Sequence, residues 1–305
     1  MRGIKIELKR IDLTKLLHIL DQLIGNRKNK RGRPPIYKES LIYFALAVKL
    51  LFKLSWRDLE YNLSFILKDQ KIPDHTTLFY RANQIDRETL QKCIIYISIQ
   101  IIAKVGKIDK LIVDGTGFGY NDTYRLMWER GKRLKEVKSH IKTEVLAFVK
   151  GKTTVPIAVK VGEPYSDERK LFKEILKETS LDEGSYIIGD RLYGMDSQLA
   201  KLLLEEYKLT PVIPVKDGIR KRIRDPYMRK LKEIYEDNKE VYRERYKIEQ
   251  LIGKIKNVYG DRDNTKSYNL ACVFVLMRFL LYNIALLITL FILLLRFFKQ
   301  APTFY

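Results

Sequence analysis

The chain has 305 residues, 46% of them hydrophobic, so it can bury a sizeable core and is not disordered in bulk. Its 58 Lys and Arg against 37 Asp and Glu give a formal charge of +21. That excess points to an anionic polymer as partner, nucleic acid first and membrane surface second. Cys93 and Cys272 lie far apart in apolar stretches, which excludes a disulfide framework and fits a reducing cytoplasmic setting. His18, His75 and His140 lack ligand spacing and there is no CxxC, which argues against zinc.

Residues 1–25 read as an amphipathic lead-in without an apolar signal core. Residues 26–35, Asn-Arg-Lys-Asn-Lys-Arg-Gly-Arg-Pro-Pro, form a basic linker in which the prolines favour extended backbone. Two readings stand for it. Arg31 and Arg33 suit a narrow minor groove, or the segment is a solvated tether. From Glu39 the apolar residues Leu41, Ile42, Phe44, Ala45, Val48, Leu51 and Phe52 keep helical spacing. Ser55 with Asp58 predicts a capped helix start, and Asp74 or Thr76 predicts another. Short helices in a basic segment suit a helix-turn-helix-like DNA-binding region over residues 1–107, with a plain dimerising helical bundle as the alternative.

Residues 108–298 change character. Leu111–Val113, Thr143–Val149 and Val155–Val161 read as strands, the last two as a hairpin around Gly151-Lys152. Helices are expected at 166–179 and 197–207, and strands at 186–188 and 211–215. Residues 216–239 are a charged insertion, 241–260 a helix, and 267–298 a long apolar helix or helix pair. Three strands followed by alternating helices and strands predict an α/β mixed sheet. Residues 279–298 are long enough to span a bilayer, but Asn283 and Thr289 interrupt them and Arg278 and Arg296 sit near the ends. A buried C-terminal helix and no stable membrane association are expected.

Asp114 closes the run Leu111-Ile112-Val113 and is followed by Gly115-Thr116-Gly117. Asp190 closes Tyr186-Ile187-Ile188-Gly189. A carboxylate at the end of a buried strand stands at a sheet edge, where ligands bind, although Asp after a strand is also an ordinary turn residue. On the helix over 241–260, at about 100° per residue, Tyr242, Arg245, Glu249 and Lys256 fall within an arc of about 60°. That arc borders the apolar face of Ile248, Leu251, Ile252, Ile255 and Tyr259, so it can lean over the edge where the two Asp residues end. Lys247, Gln250 and Lys254 fall on the side expected to face solvent. Taken alone, the helix is equally well an amphipathic surface helix with an Arg245 to Glu249 ion pair.

The set Tyr242-x2-Arg245-x3-Glu249-x6-Lys256 resembles the Tyr-Arg-Glu-Lys signature of insertion-sequence transposases with an Asp-Asp-Glu site. Val113-Asp114-Gly115-Thr116 and Gly189-Asp190-Arg191-Leu192-Tyr193-Gly194 resemble that family's first and second Asp motifs. The likeness covers roughly residues 31–290. Leu192-Tyr193 departs from the Gly-aromatic pair that often follows the second Asp. The resemblance implies a ribonuclease-H-like catalytic fold. It implies that Asp114, Asp190 and Glu249 are catalytic and hold two Mg²⁺ (or Mn²⁺) ions. It further implies that Tyr242, Arg245, Lys256 and Arg191 meet DNA, with simple packing as the alternative for Tyr242. The implied substrate is double-stranded DNA, as transposon ends and target, handled by a dimer or larger synaptic assembly in the cytoplasm at the nucleoid. A non-catalytic DNA-binding copy, or a ribonuclease-H-like nuclease of other purpose, remains as the alternative.

Overall fold

The computed structural model describes residues 11–24, 36–68, 70–129, 133–215 and 223–300, with backbone alone for 122–129, 133–138 and 293–300. The linker 26–35, with Arg31 and Arg33, lies outside the described residues, as do 216–222 of the charged insertion.

Short acceptors open the N-terminal helices, where first-turn N–H groups have no helical partner. Asp12 caps α1 (Leu13–Leu23), Asp74 caps α4 (His75–Asn83) and Asp86 caps α5 (Arg87–Val105). At α3 (Trp56–Ile66) Ser55 and Asp58 form the expected capping box. Helix α2 (Glu39–Phe52) is buried along most of its length, from Ser40 to Val48, and ends at Lys53 in the left-handed conformation. Arg81 of α4 reaches Glu39 of α2 at 2.5 Å.

The sheet has the order β3-β2-β1-β4-β5, built from β1 (Lys110–Glu129), β2 (Arg133–Lys150), β3 (Thr153–Gly162), β4 (Tyr186–Ile188) and β5 (Thr210–Val212). β1, β2 and β3 are antiparallel, while β4 and β5 run parallel to β1. Three antiparallel strands followed by parallel ones make the expected α/β mixed sheet. The two-residue β6 (Arg262–Asp263) adds to β1 at Gly119 and Tyr120. Helices α5, α10 (Tyr246–Tyr259) and α11 (Tyr268–Gln300) pack on the sheet from one side, and α6 (Glu168–Glu178) packs against β2 and β3. The hydrophobic core runs without a break from α1 through the sheet to α11. Residue 107, where sequence divides the chain, is therefore not a gap in the packing.

Three elements differ from expectation. β1 does not stop near Val113 but continues to Glu129, so Asp114 lies within a strand rather than at its end. The glycines after Asp114 read as a turn in sequence. In the fold their missing Cβ atoms admit Glu168, His140 and Arg262 beside an extended strand. The helix expected over 241–260 is divided into α9 (Lys239–Tyr242), a 3-10 turn at Arg243–Arg245, and α10. A 3-10 turn advances about 120° per residue, which shifts Tyr242 by about 60° from the uniform helical phase. The charged insertion carries α8 (Pro226–Asp237), capped by Asp225 and buried at Leu231.

Helix α11 is long and apolar enough to cross a membrane by length and composition, but its residues from Leu270 to Leu286 are buried within the protein. The polar interruptions have internal partners. Asn283 donates to the Pro156 carbonyl at 2.9 Å, and Arg278 forms a two-armed pair with Asp263 at 2.6 and 2.7 Å. Arg278 is 1% exposed, so a cation stripped of its partner there has no access to water. Asp263→Asn is expected to cost about 3–5 kcal/mol, read as a lower denaturant midpoint. An unchanged midpoint would show that the buried pair contributes nothing.

Candidate active site

Register brings the two aspartates together. Ile112 pairs with Ile188 across parallel strands, and Asp114 and Asp190 each stand two residues beyond that pair. Side chains at matching positions of adjacent parallel strands share a face, about 5 Å apart. The Asp114 side chain is 14% exposed. Burial raises its carboxyl to about 6; the Arg245 cation opposes this, and Asp190 and Glu168 add to it. Asp190 follows β4 and accepts the Leu192 N–H at 2.8 Å, which fixes the turn behind it.

Glu249 sits in the first turn of α10. The residues expected on the core face of this helix, Ile248, Leu251, Ile252, Ile255 and Tyr259, are all buried. Arg245 joins the elements. Its Nη1 donates to Glu249 Oε1 at 2.6 Å, and its Nη2 lies 3.8 Å from Asp114 Oδ2. Its Nε is buried without a hydrogen-bond partner among the described residues. The predicted ion pair is thus present, and it reaches across to the first aspartate.

Lys256 donates to Thr116 Oγ1 at 2.8 Å and to the Gly117 carbonyl at 2.9 Å, and lies over the Phe118 ring at 5.0 Å. These bonds pin α10 to β1 and leave one of three ammonium donors for a phosphate. Burial lowers the Lys256 pKa, with Asp261 opposing. Tyr242 packs edge-on against Tyr235 with ring centres 5.2 Å apart. Burial raises its phenol pKa; Arg245 opposes, and the Asp190 and Asp114 charges add. Packing and closeness to the acids therefore coexist at Tyr242. Arg191 is exposed. Lys247 does not face solvent freely: it donates to Glu244 at 2.7 Å and to the Gly151 carbonyl at 3.1 Å. A Cβ at Gly253 would meet nothing within 4 Å, so the surface beside the arc is open there.

Sequence reasoning passed over Glu144 and Glu168, and took Tyr193 only as part of the second Asp motif. Glu168 opens α6, pairs with Lys142, and would collide with a Cβ on Gly115 at 2.6 Å. Glu144 is fully buried and accepts from the Tyr193 hydroxyl at 2.5 Å. Its only sequence signal was an acid inside the apolar strand 143–149.

The family model described as Transposase DDE domain matches residues 106–284, more than half of the chain. The chain belongs to the transposase DDE domain family. A second family model of the same description matches residues 15–121. An uncharacterized protein of Aquifex aeolicus (strain VF5) is 39% identical over 290 residues, covering 94% of this chain and 89% of its own. The piggyBac transposase synaptic complex with hairpin DNA, solved by cryo-EM, matches with a TM-score of 0.44 and 14% identity, over 98% of this chain and 81% of that one.

DDE transposase domains act in DNA transposition by phosphoryl transfer and generally use divalent metals. Among the described residues no three His, Cys, Asp or Glu side chains stand close enough to share a metal as placed. The donor set nevertheless suits one. Two carboxylates lie close enough at the ends of the β1–β4 pairing for the Asp190 charge to act on Asp114, and the third is drawn to Arg245, a cation already lodged between Asp114 and Glu249. Hard oxygen donors of this kind suit Mg²⁺ or Mn²⁺ rather than zinc.

The raised Asp114 carboxyl has a consequence for the metal-free protein. A folded-state pKa near 6 against an ordinary 3.8 means that the folded form holds its proton longer. The associated stability is present below pH 4, is lost as pH rises from about 4 through 6, and then stays lost. The rise corresponds to about 3 kcal/mol. Asp114→Asn is therefore expected to melt higher than wild type above pH 6 and to match it near pH 4. Parallel melting curves at all pH values would refute the burial argument.

Proposed function

We propose that this DDE domain protein is the transposase of an insertion sequence. It binds the element's terminal inverted repeats, hydrolyses phosphodiester bonds at its ends, and joins the freed 3′-hydroxyls to target DNA. Asp114, Asp190 and Glu249 are the catalytic acids and the ligands of two Mg²⁺ or Mn²⁺ ions. The observation that carries this reading is that Asp114 and Asp190 each stand two residues beyond the parallel pair Ile112–Ile188, with Arg245 bonded to Glu249 and close to Asp114.

When bound, divalent ions lower the pKa of attacking water and stabilise the leaving oxygen. The chain's own residues do the rest. Arg245, with its fork of donors, grips a phosphate beside the acids. Lys256 holds α10 on β1 and offers its remaining donor, and Tyr242 adds a hydroxyl nearby. With Glu249, these residues form the set that resembles the Tyr-Arg-Glu-Lys signature. Arg191 meets DNA from the exposed turn after Asp190, and Arg31 and Arg33 meet it from the linker. Helices α3 and α4, which expose Tyr61, Phe65, Phe79 and Tyr80, contribute to end recognition. At least a dimer assembles on paired ends, at the nucleoid, without stable membrane attachment.

The test is a joining assay with Mg²⁺, duplex DNA carrying the element's terminal sequence, and a supercoiled plasmid. End-joined plasmid is the expected product. Nicking without any joining would favour a nuclease of other purpose. Affinity for duplex DNA should fall about 10³-fold or more between 50 and 200 mM salt, because several phosphate contacts release counterions. A salt-insensitive affinity, measured by fluorescence anisotropy, would contradict the role given to the +21 charge.

A further inference from the structure

Glu144 is an acid where an apolar residue would be expected. It lies on β2 directly opposite Gly115, the neighbour of Asp114, and is 0% exposed. One carboxyl oxygen accepts from the Tyr193 hydroxyl at 2.5 Å. The other, Oε2, is buried with no hydrogen-bond partner among the described residues. Burial pushes the carboxyl well above the ordinary carboxylate range. A buried polar group left unmade costs about 1–3 kcal/mol, so a leucine at this place would be the cheaper choice for stability alone.

Tyr193 shows what the acid is attached to. It stands three residues after Asp190, in the 3-10 turn Tyr193–Met195, and is 1% exposed. Its ring meets Phe172 of α6 edge-on at 5.6 Å. The ring also lies against Gly189, where a Cβ would approach it to 2.9 Å. Gly194 is pressed so closely on the Pro214 carbonyl that a Cβ there would meet the oxygen at 2.1 Å. The turn carrying Asp190 is thus held on both sides, and among the described residues the Tyr193–Glu144 bond is its polar tether to β2.

We propose that Glu144 is a positioning residue that, through Tyr193, fixes the Asp190 turn relative to the strand pair that carries Asp114. This rests on the reading of Asp114 and Asp190 as partners in one site. The bond crosses from β2, beside Asp114, to the turn after β4, and so sets the separation of the two carboxylates. A displacement of about 1 Å at such a site is enough to lose activity on the order of 10²-fold.

The experiment compares Tyr193→Phe, Glu144→Gln and Glu144→Leu in Mn²⁺ binding by electron paramagnetic resonance, in end cleavage, and in melting temperature. Tyr193→Phe keeps the ring and removes only the bond, so it should fold, bind Mn²⁺ at least fivefold more weakly, and cut at least tenfold more slowly. Glu144→Gln keeps an acceptor and should stay within about twofold of wild type. Glu144→Leu should behave as Tyr193→Phe does, and if it fails to fold, Tyr193→Phe decides. Wild-type Mn²⁺ binding in Tyr193→Phe, or a folded Glu144→Gln as impaired as Tyr193→Phe, overturns the positioning role. An Asp190→Asn control separates the two failures. If it leaves Mn²⁺ binding intact, the metal-site reading itself is wrong.

Discussion

Asp190→Asn and Glu249→Gln are each expected to lower strand cleavage by at least 10³-fold while leaving affinity for end DNA within about threefold. Each substitution keeps size and removes one negative charge. Asp190 lies two residues past Ile188, as Asp114 lies two past its partner Ile112, so its loss removes half of the pair that makes a cation favourable there. It also relieves like-charge repulsion, since the Asp190 charge helps to raise the Asp114 carboxyl. The metal-free Asp190→Asn protein should therefore melt no lower than wild type, which separates lost chemistry from lost folding. Glu249 is largely exposed, with 59% of its side chain open to solvent, so Gln there should be neutral for stability. The check is cleavage of labelled end DNA in Mg²⁺ beside a binding titration in Ca²⁺. Lost binding with intact cutting would refute the assignment of both residues.

Arg245→Gln is expected to move two observables in opposite directions. It should bind Mn²⁺ about tenfold more tightly in the absence of DNA and cut about 10²-fold more slowly. Arg245 is the cation that now neutralises Glu249 at 2.6 Å and approaches Asp114 at 3.8 Å. A divalent ion held by those carboxylates must compete with it, and glutamine offers no competing charge. With an ion in that place the Arg245 fork would be free for a phosphate, so removing it is expected to slow cutting. Its orphaned Nε is the structural sign that this resting position is not its best one. Isothermal titration with Mn²⁺ reads the first effect and cleavage rate the second. Unchanged or weaker Mn²⁺ binding would show that Arg245 does not occupy the ion's place.

Local chemistry made much of this molecule legible. Ser55 with Asp58, and Asp74, define helix starts because capping involves only residues within one turn. The strands around Asp190 and at 143–149 and 155–161 show as apolar runs, because strands covered on both faces carry few polar residues. The buried face of α10 follows from its period alone. What the sequence could not convey depends on partners far along the chain. Asp114 looked like a strand end because the glycines after it mimic a turn, and only the close approach of Glu168 to Gly115 shows why the strand continues. Tyr242 left the expected arc because a 3-10 turn intervenes. Glu144 gained meaning only once Tyr193 was folded onto it.

The residue types and spacings of Asp114, Asp190 and Glu249, the helix period and the charge of +21 are properties of the sequence by itself. They determined the class of sheet and the acids worth testing. Tertiary structure decided which apolar helix is buried, since α11 has a membrane span's length and composition but its surface is taken by α5 and the sheet. It also decided that two aspartates 76 residues apart follow one parallel strand pair, and that an arginine lies between Asp114 and Glu249. The physical reason is the same in each case. Caps and periods are set by neighbours in the chain, whereas burial, register and charge pairing are set by neighbours in space.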